Sequence, residues 1–167
     1  MTLTFDPART DADIAAIAEL ARTIWYEYYV PLIGRDQVDY MVEKFQTAAA
    51  MQQQVREGYA YFTVRRDGSP IGYTAIRPDK DGSLFVSKFY LLREARGGGT
   101  GRAIMTFIEE WARQRDLGRL WLTVNKGNPA VQAYQRLGFR IAAPIVMDIG
   151  GGFVMDDYRM EKTLIQQ

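Results

Sequence analysis

Residues Ser83 to Trp111 constrain the fold more than any other stretch: SLFVSKFYLL is followed by REARGGGTGR and then by AIMTFIEEW. Leu84, Phe85, Val86, Phe89, Tyr90, Leu91 and Leu92 form a nearly continuous apolar run, as a strand buried on both faces requires. After Gly101 the period becomes helical. Ile104, Phe107, Ile108 and Trp111 recur at three and four residues, which predicts a helix with Glu109, Glu110 and Arg113 turned to water.

Between strand and helix lie Gly97, Gly98, Gly99 and Gly101. The first turn of a helix has unpaired N–H groups and a partial positive charge, and glycine lets a bulky anion approach the backbone closely. Arg96 and Arg102 add a full charge at either end of the loop. The alternative is a glycine turn that holds no ligand. A triphosphate cradle needs Lys and Ser or Thr after the last glycine, whereas Gly101 is followed by Arg102 and Ala103. A dinucleotide fingerprint fails in both frames, because Gly99 and Gly101 are followed by Ile104, and Gly97 and Gly99 by Arg102.

Composition removes several chemistries. The 167 residues contain no cysteine and no histidine, so disulfides, Cys/His metal sites, thiol or Ser-His nucleophiles and histidine bases are excluded, and no metal site is expected. With 47% hydrophobic residues the chain is expected to form one domain over residues 1–167. No membrane span and no basic, apolar leader is read from it, so the expected location is cytoplasmic. A net charge of +1 marks no nucleic-acid or membrane binder. The charge is uneven, however: residues 1–60 hold nine acids and five bases, net −4, and the remainder is +5. A basic half suits an anionic cofactor and an acidic half a cationic acceptor; two ordinary solvated surfaces fit equally well.

Along the chain, Leu3 to Phe5 can form a first strand, and Thr10 with Asp13 three residues later predicts a helix N-cap. Ile14, Ile17, Ala18, Ala21, Ile24 and Trp25 keep helical spacing to about Tyr29, with Pro31 and Gly34 as stops. Further helices are expected at about 35–45 and 47–57. Trp25, Tyr26, Tyr28 and Tyr29 cannot all face one core from a single helix. Strands at 59–65, 70–77 and 83–92 should form an antiparallel meander, turning at Asp67-Gly68 and again at Asp79 to Gly82. Gly72 inside its strand marks a close backbone approach or a bulge. Arg119 to Val124 reads as a buried strand parallel to 83–92 across the helical crossover. Asn128 then caps a short helix with Pro129 at its first position, and Gly138 closes it. Strands at about 140–147 and 153–163 follow, joined by the loop Asp148-Ile-Gly-Gly-Gly. The expected fold is α/β (α+β), with a central mixed, mostly antiparallel sheet flanked by helices.

Arg96-x-x-Gly99-x-Gly101 resembles the (Q/R)xxGx(G/A) pyrophosphate loop of the GNAT superfamily of acyl-CoA N-acetyltransferases. Asn128, Ala130, Ala133, Tyr134 and Gly138-Phe139 resemble that family's second motif, NxxAxxxYxxxGF. The match needs both Asn125 and Asn128 to be considered as the asparagine; Asn128, at the helix cap six residues before the tyrosine, is the one taken. With the order of strands and helices, the resemblance covers essentially the whole chain.

The resemblance implies a direct transfer from acetyl-CoA, as cosubstrate, to a primary amine. By that similarity the amides of Arg96, Gly97, Gly98, Gly99, Thr100, Gly101 and Arg102 would hold the pyrophosphate. The edge of Tyr90, Leu91 and Leu92 would pair with the pantetheine amides, and Asn128 would contact the same arm. Tyr134 would protonate the departing thiolate, a role suited to a phenol, which keeps its proton near neutrality. Some family members carry a glutamate eleven residues before the first motif residue; here that position is Phe85. Glu27 is the first candidate for the general base, and a water chain ending on backbone carbonyls is its competitor.

The acceptor is read as a small cationic amine such as a polyamine, since carboxylates and aromatic faces both attract ammonium. A peptide N-terminus, a lysine, an aminoglycoside or an amino acid are alternatives. So are a non-catalytic acyl-CoA sensor or assembly module and a partner-binding domain whose glycine loop is only a turn. A homodimer through the late strands and Gly150, Gly151 and Gly152 is compatible with the sequence.

Overall fold

A computed structural model describes residues 2–164. The elements in chain order are β1 (Leu3–Pro7), α1 (Asp11–Ile33), α2 (Arg35–Phe45), α3 (Ala48–Arg56), β2 (Ala60–Arg66), β3 (Ser69–Pro78), β4 (Ser83–Leu91), α4 (Thr100–Arg113), β5 (Arg119–Asn125), α5 (Ala130–Arg136), β6 (Arg140–Gly150) and β7 (Phe153–Thr163), with a 3-10 turn at Arg93–Ala95. The strands hydrogen-bond in the order β1-β2-β3-β4-β5-β7-β6. β1–β2, β2–β3, β5–β7 and β6–β7 pair antiparallel and β4–β5 parallel, so the sheet is mixed and mostly antiparallel, as expected. Among the described residues no helix is long and apolar enough to cross a membrane.

Two compact units are distinguished by internal packing. One comprises the described residues up to Arg77 together with Lys88–Gly101; the other comprises Pro78–Ser87 and the described residues from Arg102 onward.

In the first unit, Thr10 and Asp13 form a reciprocal capping box: the Asp13 N–H donates to Thr10 Oγ1 at 3.1 Å and the Thr10 N–H to Asp13 Oδ2 at 3.1 Å. Helix α1 does not stop before Pro31. It continues to Ile33 with the proline inside its last turn, because the Gly34 N–H still closes that turn on the Val30 carbonyl at 3.0 Å. Ile14, Ile17, Ala21, Ile24 and Trp25 are buried along one face. Polar bonds fix how the helices meet the sheet: Trp25 Nε1 donates to the Tyr73 hydroxyl at 3.2 Å, and that hydroxyl donates to Gln46 Oε1 at 3.0 Å. Asp67 and Gly68 take φ of 51° and 86°, the left-handed pair that a two-residue hairpin between β2 and β3 needs. Gly72 marks a close approach: a Cβ there would lie 2.3 Å from the Tyr90 carbonyl oxygen.

In the second unit the buried stripe of α4 is Ile104, Met105, Ile108 and Ala112, while Phe107 and Trp111 are half-buried at its flank. Glu109 does not face water. It pairs with Lys162 of β7 at 2.7 Å, and the same ammonium donates to the Leu137 carbonyl at 2.7 Å, so one side chain fastens both helices to the strand. The expected Asp148–Gly152 loop is shorter than read: β6 runs to Gly150, and only Gly151 and Gly152, at φ 63° and 80°, make the turn. The parallel ladder between β4 and β5 covers Ser83↔Arg119, Leu84↔Leu120 and Phe85↔Trp121.

Candidate active site

The first unit carries the glycine loop. Gly97, Gly98 and Gly99 have φ of 84°, 62° and 81°, a backbone that L side chains rarely adopt, and a Cβ built on any of them meets nothing within 4 Å. The outer side of the loop is therefore open, and α4 begins immediately at Thr100. An anion such as a pyrophosphate requires amides at a helix start with space in front of them, although of the amides at 96–102 those of Arg96 and Thr100 already donate to the Arg93 and Gly97 carbonyls, each at 3.2 Å. The inner side is held by Arg66, which no sequence motif singles out. One Arg66 Nη, from the end of β2, donates to Thr100 Oγ1 at 2.6 Å and to the Ala95 carbonyl at 3.3 Å.

Arg96 is exposed, and its guanidinium lies 4.4 Å from the centre of the Tyr28 ring while donating to the Leu91 carbonyl at 3.0 Å. The Leu92 N–H is bonded to the Ile71 carbonyl at 2.8 Å. Of the edge formed by Tyr90, Leu91 and Leu92, then, one donor is already taken by β3 and one acceptor by Arg96.

Glu27 pairs with Arg93 Nε at 3.1 Å, at the start of the turn that leads into the loop. The aromatics around it divide as helical geometry demands. Trp25 is buried and stacks on Tyr29 at 4.3 Å, Tyr90 meets Trp25 edge-on at 5.4 Å, and Tyr26 donates to Asp39. Arg22 and Arg35 lie 5.9 and 5.4 Å from the Tyr26 ring centre, so Tyr26 and Tyr28 both face arginines of the protein itself. Lys88, on β4, is buried and donates to Gln54 Oε1 at 2.8 Å, and burial brings its ammonium down to about 7.

The second unit carries the other motif. Asn128 is 4% exposed, and its Oδ1 accepts from the Ala130 N–H at 2.8 Å; the cap position of α5 is Pro129, one residue later than expected, so this bond fixes the turn that leads into the helix. Tyr134 is half-buried with its ring edge-on to Phe139 at 5.8 Å, and Gly138, at φ 99°, ends the helix. Phe85, at the position where the sequence resemblance implied a glutamate, stacks on Trp121 at 4.1 Å. Arg159 lies 4.1 Å from the Trp121 ring centre, and Trp121 Nε1 donates to Asp79 at 2.9 Å. Asp157, in the middle of β7, is 2% exposed; burial, with Asp156 adding to it and Lys126 opposing, pushes its carboxyl up to about 6. Neither Lys88 nor Asp157 is visible as a perturbed group in the sequence, because burial of a polar strand residue leaves no periodic trace.

A family model described as the acetyltransferase (GNAT) family matches residues 15–139. An uncharacterized N-acetyltransferase of Mycobacterium tuberculosis is 30% identical over 159 residues, spanning 93% of this chain and 99% of its own. The streptothricin acetyltransferase of Streptomyces lavendulae is 35% identical over 81 residues, 47% of this chain and 43% of that enzyme. The crystal structure of the PaiA N-acetyltransferase from Thermoplasma acidophilum in complex with coenzyme A superimposes with a TM-score of 0.78 at 16% identity, covering 98% of this chain and 99% of that one.

Proposed function

Since the chain belongs to the acetyltransferase (GNAT) family and is an N-acetyltransferase, we propose that it moves the acetyl group of acetyl-CoA directly onto a primary amine. The observation that carries this reading is the loop Gly97–Gly99: three left-handed glycines with open space before them, at the start of α4 and flanked by Arg96 and Arg102. A pyrophosphate fits there, held by the amides of residues 96–102. Acetyl-CoA supplies the thioester, and the protein supplies orientation and proton movement. Leu91 and its neighbours orient the pantetheine arm. Asn128 contacts the same arm, and the Tyr134 hydroxyl gives its proton to the sulfur as the C–S bond breaks.

The acceptor is a small cationic amine. The net charge of −4 over residues 1–60 supports this, as does the similarity to an enzyme whose name gives streptothricin as its substrate. The aromatic faces of Tyr26 and Tyr28 add little support, because arginines already lie against them. Tyr134→Phe tests the assignment. It should leave acetyl-CoA affinity unchanged and lower kcat by about 10²-fold, the usual scale of a lost general acid. Unchanged turnover would remove Tyr134 from the mechanism.

A further inference from the structure

Within the second unit, Asp157 occupies an unusual place. It stands directly opposite Asn125, the last residue of β5, on one side and Ile145 of β6 on the other, so these three side chains share one face of the sheet. Asn125 is also where the second motif begins: its carbonyl accepts from the Asn128 N–H at 2.9 Å and its Oδ1 from the Gly127 N–H at 2.9 Å. β5 is the parallel partner of β4, and the carboxyl ends of parallel strands, where the chain turns into a helix, are where open α/β sheets place their ligands.

An ionised carboxylate that is 2% exposed is costly unless a cation or several donors meet it. Each cation of the three strands is ion-paired with another acid, and only the field of Lys126 reaches Asp157. Lys126 is paired with Asp156 at 2.8 Å, Arg159 with Glu161 at 2.9 Å, Arg140 with Glu161 at 3.4 Å and Arg119 with Asp81 at 2.9 Å. Lys162 is held by Glu109, and Asp148, the remaining acid of β6, accepts from the Gly150 N–H at 2.8 Å. Among the described residues no hydrogen bond or ion pair reaches the Asp157 carboxylate. A largely buried acid that holds no hydrogen bond or ion pair of its own and shares Lys126 with Asp156, beside the segment that bears Asn128 and Tyr134, matches a site completed by a cation brought by the substrate.

Building on the acetyltransferase reading, we propose that Asp157 receives the ammonium group of the acceptor and takes its proton. The other candidate carboxylate, Glu27, is already matched to Arg93. In the transfer, one N–H proton of the ammonium passes to Asp157 and from there to solvent. The freed nitrogen lone pair forms the new C–N bond at the acetyl carbon, and the C–S bonding pair leaves with sulfur. Sulfur takes the Tyr134 hydroxyl proton, and the second proton lost by nitrogen restores the phenol. The sum is one amide, one thiol and one proton released.

The test compares wild type with Asp157→Asn, using acetyl-CoA and three probe amines: spermidine, a lysine-containing tripeptide and streptothricin. Acetyl-CoA affinity by calorimetry should be unchanged. The kcat/KM for the amine turned over should fall by about 10²-fold or more, and the acidic limb of its pH profile should vanish. A variant within about threefold of wild type that keeps that limb overturns the proposal. Carboxyl 13C NMR of the wild type, assigned by the signal missing in Asp157→Asn, needs no turnover. A signal that titrates near pH 6 and moves to lower pH when spermidine is added supports the proposal, and one that titrates in the ordinary aspartate range overturns it. Wild type that binds no acetyl-CoA contradicts the underlying acetyltransferase reading instead.

Discussion

Phe85 and Trp121 stack with ring centroids 4.1 Å apart and planes 20° from parallel, at the last rung of the β4–β5 ladder. The position at which the sequence resemblance implied a glutamate is here one half of an aromatic pair, with Arg159 also against Trp121.

Phe85→Glu is therefore expected to damage the protein without adding a base. The stacking is lost and a charge is placed on an aromatic surface, a cost of about 1–3 kcal/mol. Thermal unfolding and kcat/KM measured together check this: the melting temperature falls and the rate does not rise. A faster variant would show that the site had been waiting for that carboxylate.

The Glu27–Arg93 pair makes a different prediction from a general base. A partly exposed ion pair of this kind contributes about 0.5–1 kcal/mol, so Glu27→Gln should loosen the turn before the glycine loop and weaken acetyl-CoA binding by about two- to fivefold. The pH profile of kcat/KM should keep its shape. Loss of the acidic limb in this variant would return the base to Glu27.

Lys88 ties stability to pH. Its ammonium titrates near 7 in the folded protein against an ordinary 10.5, so between those values the unfolded chain binds the extra proton and stability climbs as pH rises. Lys88→Met should raise stability at pH 7 by on the order of a few kcal/mol and flatten that climb. Gln54 keeps a donor in the variant, since the Tyr61 hydroxyl also bonds its Oε1 at 2.5 Å. Denaturant unfolding at pH 7 and pH 10 gives both quantities.

Much of this architecture was legible in the sequence where the signal is local. Thr10 with Asp13 and Asp67-Gly68 each act within a few residues, and each does in the structure what its chemistry suggests, while the glycines before α4 take left-handed φ values. Pro31 misled because it lacks only its own N–H, while the turn after it still closes through the Gly34 N–H on the Val30 carbonyl. The placement of β7 between β5 and β6, the capture of Glu109 by Lys162 and the isolation of Asp157 all depend on which strands become neighbours. In β7 the run Asp156-Asp157-Tyr158-Arg159-Met160-Glu161-Lys162 is almost uniformly polar, so no alternation identifies the one acid that is buried.

The central claim is best tested by calorimetric titration of acetyl-CoA into wild type and Gly99→Val, followed by addition of the three probe amines to the same cell. Gly99 sits at φ 81° with nothing in front of it, so a branched side chain both strains the backbone and occupies the space assigned to the pyrophosphate. The account predicts saturable binding to wild type, affinity lower by about tenfold or more in the variant, and CoA release with one of the amines. Equal binding to both proteins, or none to wild type, would contradict it.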